Sequence, residues 1–305
     1  MRKYFVLAIL SSVFYSTTLK AQYYYYNNKY YDNAVVMELG VSGGIMNALT
    51  DLGGKKGVGK NFIKDLRWAT ARPSYGFYAT AMYKNMAGLR LEGTFGEVTG
   101  YDSILKNVAG STFGRYERNL SFKSKISEIQ LAFEVHPLFF KDYDEDEAPR
   151  ISPYAIVGGG IYTFDPQAEL NGQWYALQPL RLEGQGFNEY KDRKTYELTQ
   201  FNLLGGLGLK YEINSFLNAR LEFVHRKLFT DYLDDVSTEY VDPTLFTNYL
   251  PANLAAVAQQ LYSRRQELVP SDVPVAGEQR GDPKDDDAFF TIQLKIGVTL
   301  GRLRR

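Results

Sequence analysis

Cysteine is absent from this 305-residue chain, and histidine and tryptophan each occur only twice. Without cysteine, an exported chain cannot be stapled by disulfides and cannot be a lipoprotein, whose anchor needs that residue at the cleavage site. Two isolated histidines make no zinc spacing. An excess of one charge is missing as well. Lys and Arg total 35, and Asp and Glu total 35, so the basic footprint of a nucleic-acid surface is lacking. No apolar run approaches the ~20 residues that a membrane-spanning helix needs, which excludes a helical membrane protein.

The longest apolar stretch is Tyr4–Phe14, behind the basic head Met1-Arg2-Lys3 and ahead of Leu19-Lys20-Ala21. This is the layout of a secretory signal peptide, with cleavage expected after Ala21. The expected organisation is a signal peptide over 1–21, a Tyr-rich arm over 22–33 containing Tyr23–Tyr26 and Tyr30-Tyr31, and one domain over 34–305.

What the chain does have is aromatics, 24 Tyr and 19 Phe, and a repeated period-two pattern. Phe290, Ile292, Leu294, Ile296, Val298 and Leu300 alternate with Thr291, Gln293, Lys295, Gly297 and Thr299. Such alternation marks a strand between two unlike media. It recurs at Val35–Gly43, Tyr75–Tyr83, Ala87–Phe95, Glu128–His136, Tyr154–Phe164, Phe201–Tyr211 and Leu217–Arg226, giving eight strands. Lys84-Asn85 and Asn214-Ser215 are tight turns, and Lys141–Arg150 is a short acidic linker. The other four connections are long. Strict alternation of short and long connections is the habit of a transmembrane barrel, with short turns and both termini in the periplasm. The expected fold is all-β: an eight-stranded antiparallel up-and-down transmembrane β-barrel of outer-membrane type, with long extracellular loops, one carrying a short helix. Its location is the outer membrane, its first partner lipid.

The polar parity repeatedly carries full charges: Glu38, Arg90, Glu92, Glu128, Glu134, Lys210, Arg220, Glu222, Arg226 and Lys295. An eight-stranded barrel has an interior that side chains can just fill, and unpaired buried charges cost several kcal/mol each. These ten residues are therefore expected to pair across the lumen, leaving no conducting pore. The glycines of the fifth and sixth strands leave room for them or allow curvature.

Site signals are few. Gly54-Lys-Lys-Gly-Val-Gly-Lys60 has P-loop spacing, but Asn61 stands where Ser or Thr should hold magnesium, and a glycine-rich external loop is the better reading. His136 is expected in the lumen near the periplasmic end. His225 falls on the lipid parity near the outer end, where some lipid-modifying barrels carry catalytic histidine. No serine lies nearby in its strand, so an interfacial residue is expected, with no catalytic residue and no cofactor. Asp231, Asp234, Asp235, Glu239 and Asp242 cluster after the seventh strand, opposite Asp285–Asp287 before the eighth. Oxygen-rich clusters can hold calcium, but this spacing is not that of an EF-hand. A solvated acidic rim is expected. Asn253–Leu268 reads as an amphipathic helix with Leu254, Val257, Ala258 and Leu261 on one stripe.

Three stretches are more specific: Leu49–Gly57 with Phe62–Leu66, Pro153–Ile161, and above all Thr230-Asp-Tyr-Leu-Asp-Asp-Val-Ser237. On these, from about Val35 to Leu300, the chain resembles the PorG-like outer-membrane barrels of Bacteroidota. That resemblance implies a non-enzymatic structural or docking component of type IX protein secretion, linked to a periplasmic ring. The chain leaves no room for the Ig-like sorting domain of that system's cargo. One departure is Gly301-Arg-Leu-Arg-Arg305 after the last strand, where many barrels stop at an aromatic residue. Asp142, Asp144, Glu145, Asp146 and Glu147, in the fourth-to-fifth turn, are the candidate partner-binding residues. The alternatives are an adhesion barrel acting through its outer loops and, behind it, a lipid-modifying enzyme.

Overall fold

A computed structural model describes residues 34–52, 68–106, 112–141, 143 and 148–301. The signal peptide, the Tyr-rich arm, the 54–60 segment, the five acids of the candidate partner-binding turn and the tail after Gly301 lie outside the described residues.

Eight strands close a cylinder in chain order: β1 (Val35–Leu49), β2 (Arg72–Tyr83), β3 (Ala87–Tyr101), β4 (Ser121–Val135), β5 (Ile151–Leu170), β7 (Thr199–Glu212), β8 (Leu217–Leu228) and β9 (Ala288–Leu300). Every neighbour is antiparallel, and β1 closes the ring by pairing with β9 from Met37↔Leu300 to Leu49↔Ala288. Closure leaves no exposed ladder of unpaired amides around the wall. A ninth strand, β6 (Gln173–Ala176), pairs only with the far end of β5 through a turn at Asn171 and Gly172, both with positive φ. The β2–β3 hairpin turns on Lys84 and Asn85, at φ 48° and 53°. Those left-handed values match the twist of the flanking strands.

The period-two pattern settles which face points where. Ile129, Phe201 and Leu207 stand outward at 65%, 68% and 68% exposure, and Met37, Leu39, Leu91, Leu131, Leu221 and Leu294 share that outer face. Exposed aromatics flank this apolar belt at both ends: Tyr83, Phe140, Tyr211 and Phe216 beside the short turns, and Tyr75, Phe201 and Phe229 toward the long loops. A wall of apolar side chains between aromatic girdles fits hydrocarbon between two interfaces. In water it would be an exposed apolar patch far larger than soluble proteins carry.

The apolar core is not inside the cylinder. Within the barrel only Ala132, Ile156, Leu204 and Val224 form a small buried apolar cluster. The large cluster sits over the long-loop end. There Met46, Phe122, Tyr162, Phe164 and Phe289 from the strand ends meet Leu180, Phe187, Leu233, Val236, Phe246 and Leu261 from the loops. The described parts of the long connections thus form a folded cap. The helix expected over Asn253–Leu268 runs from Ala252 to Leu261 and buries Ala255, Ala258 and Leu261. It stops early because the chain bends through Ser263 into a short 3-10 turn at Arg265–Glu267, and Leu268 points to solvent. The strands also run further than their alternation indicated, β1 to Leu49, β3 to Tyr101 and β5 to Leu170.

Candidate functional site

The cylinder positions charge inward because each strand gives alternate residues to its interior. Glu38, Glu92, Glu128, Glu134 and Glu222 face Arg90, Lys210, Arg220, Arg226 and Lys295, five acids against five bases, all 5% exposed or less. Glu38 pairs with Lys210 at 2.9 Å and Arg220 at 2.6 Å. Glu134 joins Arg220, at 2.8 Å, to Arg90. Arg90 continues to Glu92 at 3.1 Å and Glu222 at 2.7 Å, and both of those carboxylates hold Lys295 at 2.6 Å. Glu128 and Arg226 form a separate pair at 3.1 Å, in which Asn202 donates to Glu128 and Arg226 donates to Thr291.

Two tyrosines absent from the charge-based reading hold this network. Tyr78 Oη donates to Glu38 at 2.7 Å and Tyr154 Oη to Glu222 at 2.6 Å. Their rings sandwich the guanidinium groups of Arg90 and Arg220, with centroid distances of 5.2 to 5.8 Å. The signal for them was the glycine pattern. A Cβ at Gly208 would collide with the Tyr154 ring, and one at Gly40 with the Tyr78 ring, so these wall glycines are the space the rings occupy. His136 lies at the short-turn end, its Nε2 3.3 Å from Glu134 and its Nδ1 3.2 Å from Ser152. It stacks on Tyr154 with centroids 4.8 Å apart. His225 stands in the outer wall, half-buried, opposite Phe290.

The cap is stitched by buried charges of its own. Glu183 accepts from the amides of Ser237 and Thr238, the Thr238 hydroxyl and Arg280. Arg118 makes a two-point contact with Asp102 and donates to the carbonyls of Asp51 and Arg280. The expected solvated acidic rim is therefore a correction. Asp231, Asp234, Asp235 and Asp287 are buried, while Glu239, Asp285 and Asp286 are exposed and Asp242 is half-exposed. Burial wins because these acids sit beneath the loop core, where two of them accept loop amides, Leu52 N to Asp234 at 3.0 Å and Leu233 N to Asp287 at 2.8 Å, and Asp235 accepts from the Tyr196 hydroxyl at 2.7 Å.

Burial first, and then the charge of Asp234, pushes the Asp231 carboxyl up to about 9, against a weaker opposing pull from the Ser237 hydroxyl. Burial and Asp51 raise Asp234 to about 7. Asp235 also rises to about 7, burial outweighing the opposing Arg280 and the hydrogen bond from Tyr196. Asp287 rises well above the carboxylate range through burial and the charges of Asp234 and Asp231. Among the described residues, no group of three or more His, Asp or Glu side chains is already drawn together as a metal centre.

No family model and no curated protein matches the chain. Solved structures similar to it include Ail, the attachment invasion locus protein of Yersinia pestis, at 10% identity and TM-score 0.34 over 87% of this chain and 97% of that one. Outer membrane protein OprG of Pseudomonas aeruginosa is 11% identical, with TM-score 0.37 over 87% and 95% of the two chains. A major outer membrane protein of Thermus thermophilus is 11% identical, with TM-score 0.37 over 88% and 100%.

Proposed function

We propose that this chain is a non-enzymatic barrel of the outer membrane that serves as a structural and docking component of type IX protein secretion, as its resemblance to PorG-like proteins implies. The observation that carries the membrane part is the inverted wall, with apolar side chains outward and every one of the ten luminal charges ion-paired within. A cylinder filled by paired charges and closed by a folded cap has no use as a pore. What it offers to other proteins is its two ends. For the periplasmic end the support is the sequence: the connection between β4 and β5 carries Asp142, Asp144, Glu145, Asp146 and Glu147, a run of acids suited to a basic periplasmic partner such as a ring component.

Affinity purification from mild-detergent membranes tests this reading. A recurrent periplasmic or secretion-system partner, lost when those five acids become Ser while the barrel stays folded, supports it. Recovery of the barrel alone, together with normal secretion in a deletion strain, refutes it.

An adhesive barrel is the second reading, favoured by the exposed apolar strip Leu268, Val269, Val273 and Val275 on the cap. Deleting the helix beside it would remove Ala255, Ala258 and Leu261 from the cap core, so Ser substitutions in the strip are the discriminating variant. Lost adhesion with intact secretion favours adhesion. For a lipid-modifying enzyme, His225→Ala should change lipid composition; no change is expected.

A further inference from the structure

The outward parity of β3, β4 and β5 does not end with the apolar belt. On β4 it runs Phe133, Leu131 and Ile129, and then Ser127, Lys125 and Lys123. Phe95 and Thr163 stand beside Ser127, Glu97 and Asp165 beside Lys125, and Gln167 beside Lys123. All three strands thus turn from apolar to polar within one step of register. From Val135 to Lys125 a strand rises about 33 Å, and a tilt of about 35–45° makes that about 25 Å of depth, the height of the apolar band of such a barrel. The row through Lys125 therefore stands at the outer surface of the bilayer.

Above this row β5 turns at Asn171 and Gly172 into β6, which brings Trp174 opposite Glu169 on the same outward parity. Lys123 Nζ lies 3.5 Å from the centre of the Trp174 ring, so a cation backs the indole, while Trp174 is still 42% exposed. Lys125 is exposed, and its neighbour Asp165 accepts from the Gln167 amide. A site for bare phosphate would ask for cations alone. Here two ammonium groups stand among the carboxylates of Glu97, Asp165 and Glu169, an amide and an aromatic face. That mixture suits a saccharide that carries phosphate. The ammonium groups take the phosphate, the carboxylates and amide accept from sugar hydroxyls, and the indole covers the apolar face of a sugar ring.

We propose that this outward sector, with Lys123, Lys125, Asp165, Gln167 and Trp174, binds the phosphorylated saccharide headgroup of an outer-leaflet glycolipid. Position selects the occupant. The sector continues the lipid-facing belt on the same face of the same strands, so a lipid whose chains cover Ile129 and Leu131 presents its headgroup to Lys125 and Trp174. The site goes beyond a docking role in secretion and stands without it.

Trp68 and Trp174 are the two tryptophans of the chain, so in a Trp68→Phe background Trp174 is the sole indole reporter. The barrel is folded into phosphatidylcholine bilayers with rising fractions of lipopolysaccharide that keeps its lipid A phosphates, and Trp174 emission is read. The expected result is a saturable change. Replacing two exposed charge contacts, Lys123→Gln with Lys125→Gln, should raise its midpoint about five- to tenfold. Lys125→Gln alone, which leaves the Lys123–Trp174 contact in place, should raise it about two- to threefold. Lys227→Gln, exposed on β8, should leave it unmoved, and phosphatidylglycerol, a phosphate without the saccharide, should give no saturation at the same fractions. Trp174→Ala should retain less glycolipid than the parent through mild-detergent extraction. Folding of each variant is verified by heat-modifiable migration, and if the double variant fails it, Lys125→Gln decides. No saturation up to equimolar glycolipid, or an unmoved midpoint in the lysine variants, overturns the proposal. An equal shift in Lys227→Gln does so as well, since any surface cation would then draw this lipid. So does an equal response to phosphatidylglycerol, which would mean that charge alone is sensed.

Discussion

Glu128 and Arg226 give the most direct measurement of what holds the barrel interior together. Arg226 is buried, and Glu128, at 3.1 Å, is its one carboxylate partner among the described residues. The remaining contacts of Arg226 are neutral: the Val224 carbonyl, the Thr291 hydroxyl, Gln130 and the Phe289 ring. Glu128→Gln keeps the shape and removes the charge, leaving a guanidinium enclosed without a counterion. Breaking a buried pair on one side costs about 3–5 kcal/mol. Arg226→Met strands the carboxylate instead, with only Asn202 donating to it, and should cost a similar amount. The double variant removes both charges: the amide introduced by Glu128→Gln can still accept from Asn202, and Arg226→Met fills the guanidinium's volume with apolar atoms, so removing the whole pair should be close to neutral. Two losses of about 3–5 kcal/mol should therefore collapse in the double variant to under about 2 kcal/mol, a large coupling energy.

Equilibrium urea unfolding in micelles, followed by heat-modifiable migration and far-ultraviolet dichroism, reads all four corners of this cycle. Glu134→Gln is the internal comparison. Its partners Arg90 and Arg220 each keep another carboxylate, through Glu92, Glu222 and Glu38, so it should cost less than Glu128→Gln. Additive single losses, or Glu128→Gln costing less than about 1 kcal/mol, would mean that water reaches these charges and that the interior is not sealed.

In planar bilayers the intact barrel should give no steady ion conductance, since paired side chains fill its bore; a stable open channel would refute the sealed interior from another direction. Gly208→Ala should destabilise the barrel by about 1–3 kcal/mol by driving a methyl group into the Tyr154 ring, whereas Gly205→Ala, with open space at its Cβ, should have little effect in the same unfolding assay. The cap should loosen with alkali. Asp231 is held up to about 9 and Asp234 and Asp235 to about 7, so the folded cap keeps protons that the unfolded chain releases near 4. The stability they contribute is full below that value and is lost as pH rises through about 7 to 9. Hydrogen exchange within 229–287, corrected for intrinsic rate, should accelerate over that window, and a flat profile would contradict the buried acids.

The barrel was legible because lipid and a charged lumen are as unlike as two media can be. At Ile129, Leu131 and Phe133 against Glu128, Gln130 and Glu134, every step of β4 changes both medium and residue class. The pattern fades where the strands outrun the apolar belt. In β3 beyond Phe95, and in β5 beyond Phe164, both faces meet protein or water, and residues such as Glu97, Thr99 and Gln167 no longer alternate in class. Parity also marked Tyr78 as inward, but only the glycines facing it, Gly40 and Gly297, reveal that its ring is built into the charge network. The cap was not legible for a different reason. Asp234 is buried by a bond to Leu52, 182 residues away in sequence, and nothing local to Thr230–Ser237 distinguishes that fate from an exposed acidic loop.

These two kinds of burial divide the molecule's tasks. The lumen balances five acids against five bases, and every one of these charges has an ion-pair partner inside the barrel. The cap does the opposite. It uses apolar loop residues to bury Asp231, Asp234 and Asp287, with Arg118 and Arg280 already committed to Asp102 and Glu183. Whatever neutralises those acids then sets how firmly the 229–287 connection is held to the end of β9. Since Asp287 is continuous with β9 and Leu228 N donates to its carbonyl at 3.2 Å, that state is felt at the β8–β9 seam, next to Arg226 and its pair. The Glu128 cycle measured below pH 7 and above pH 9, on either side of the titration of Asp234 and Asp231, should therefore give the same coupling energy if lumen and cap are independent. A shift of more than about 0.5 kcal/mol, the limit within which independent sites add, would mean that the protonation state of the cap is transmitted into the barrel wall.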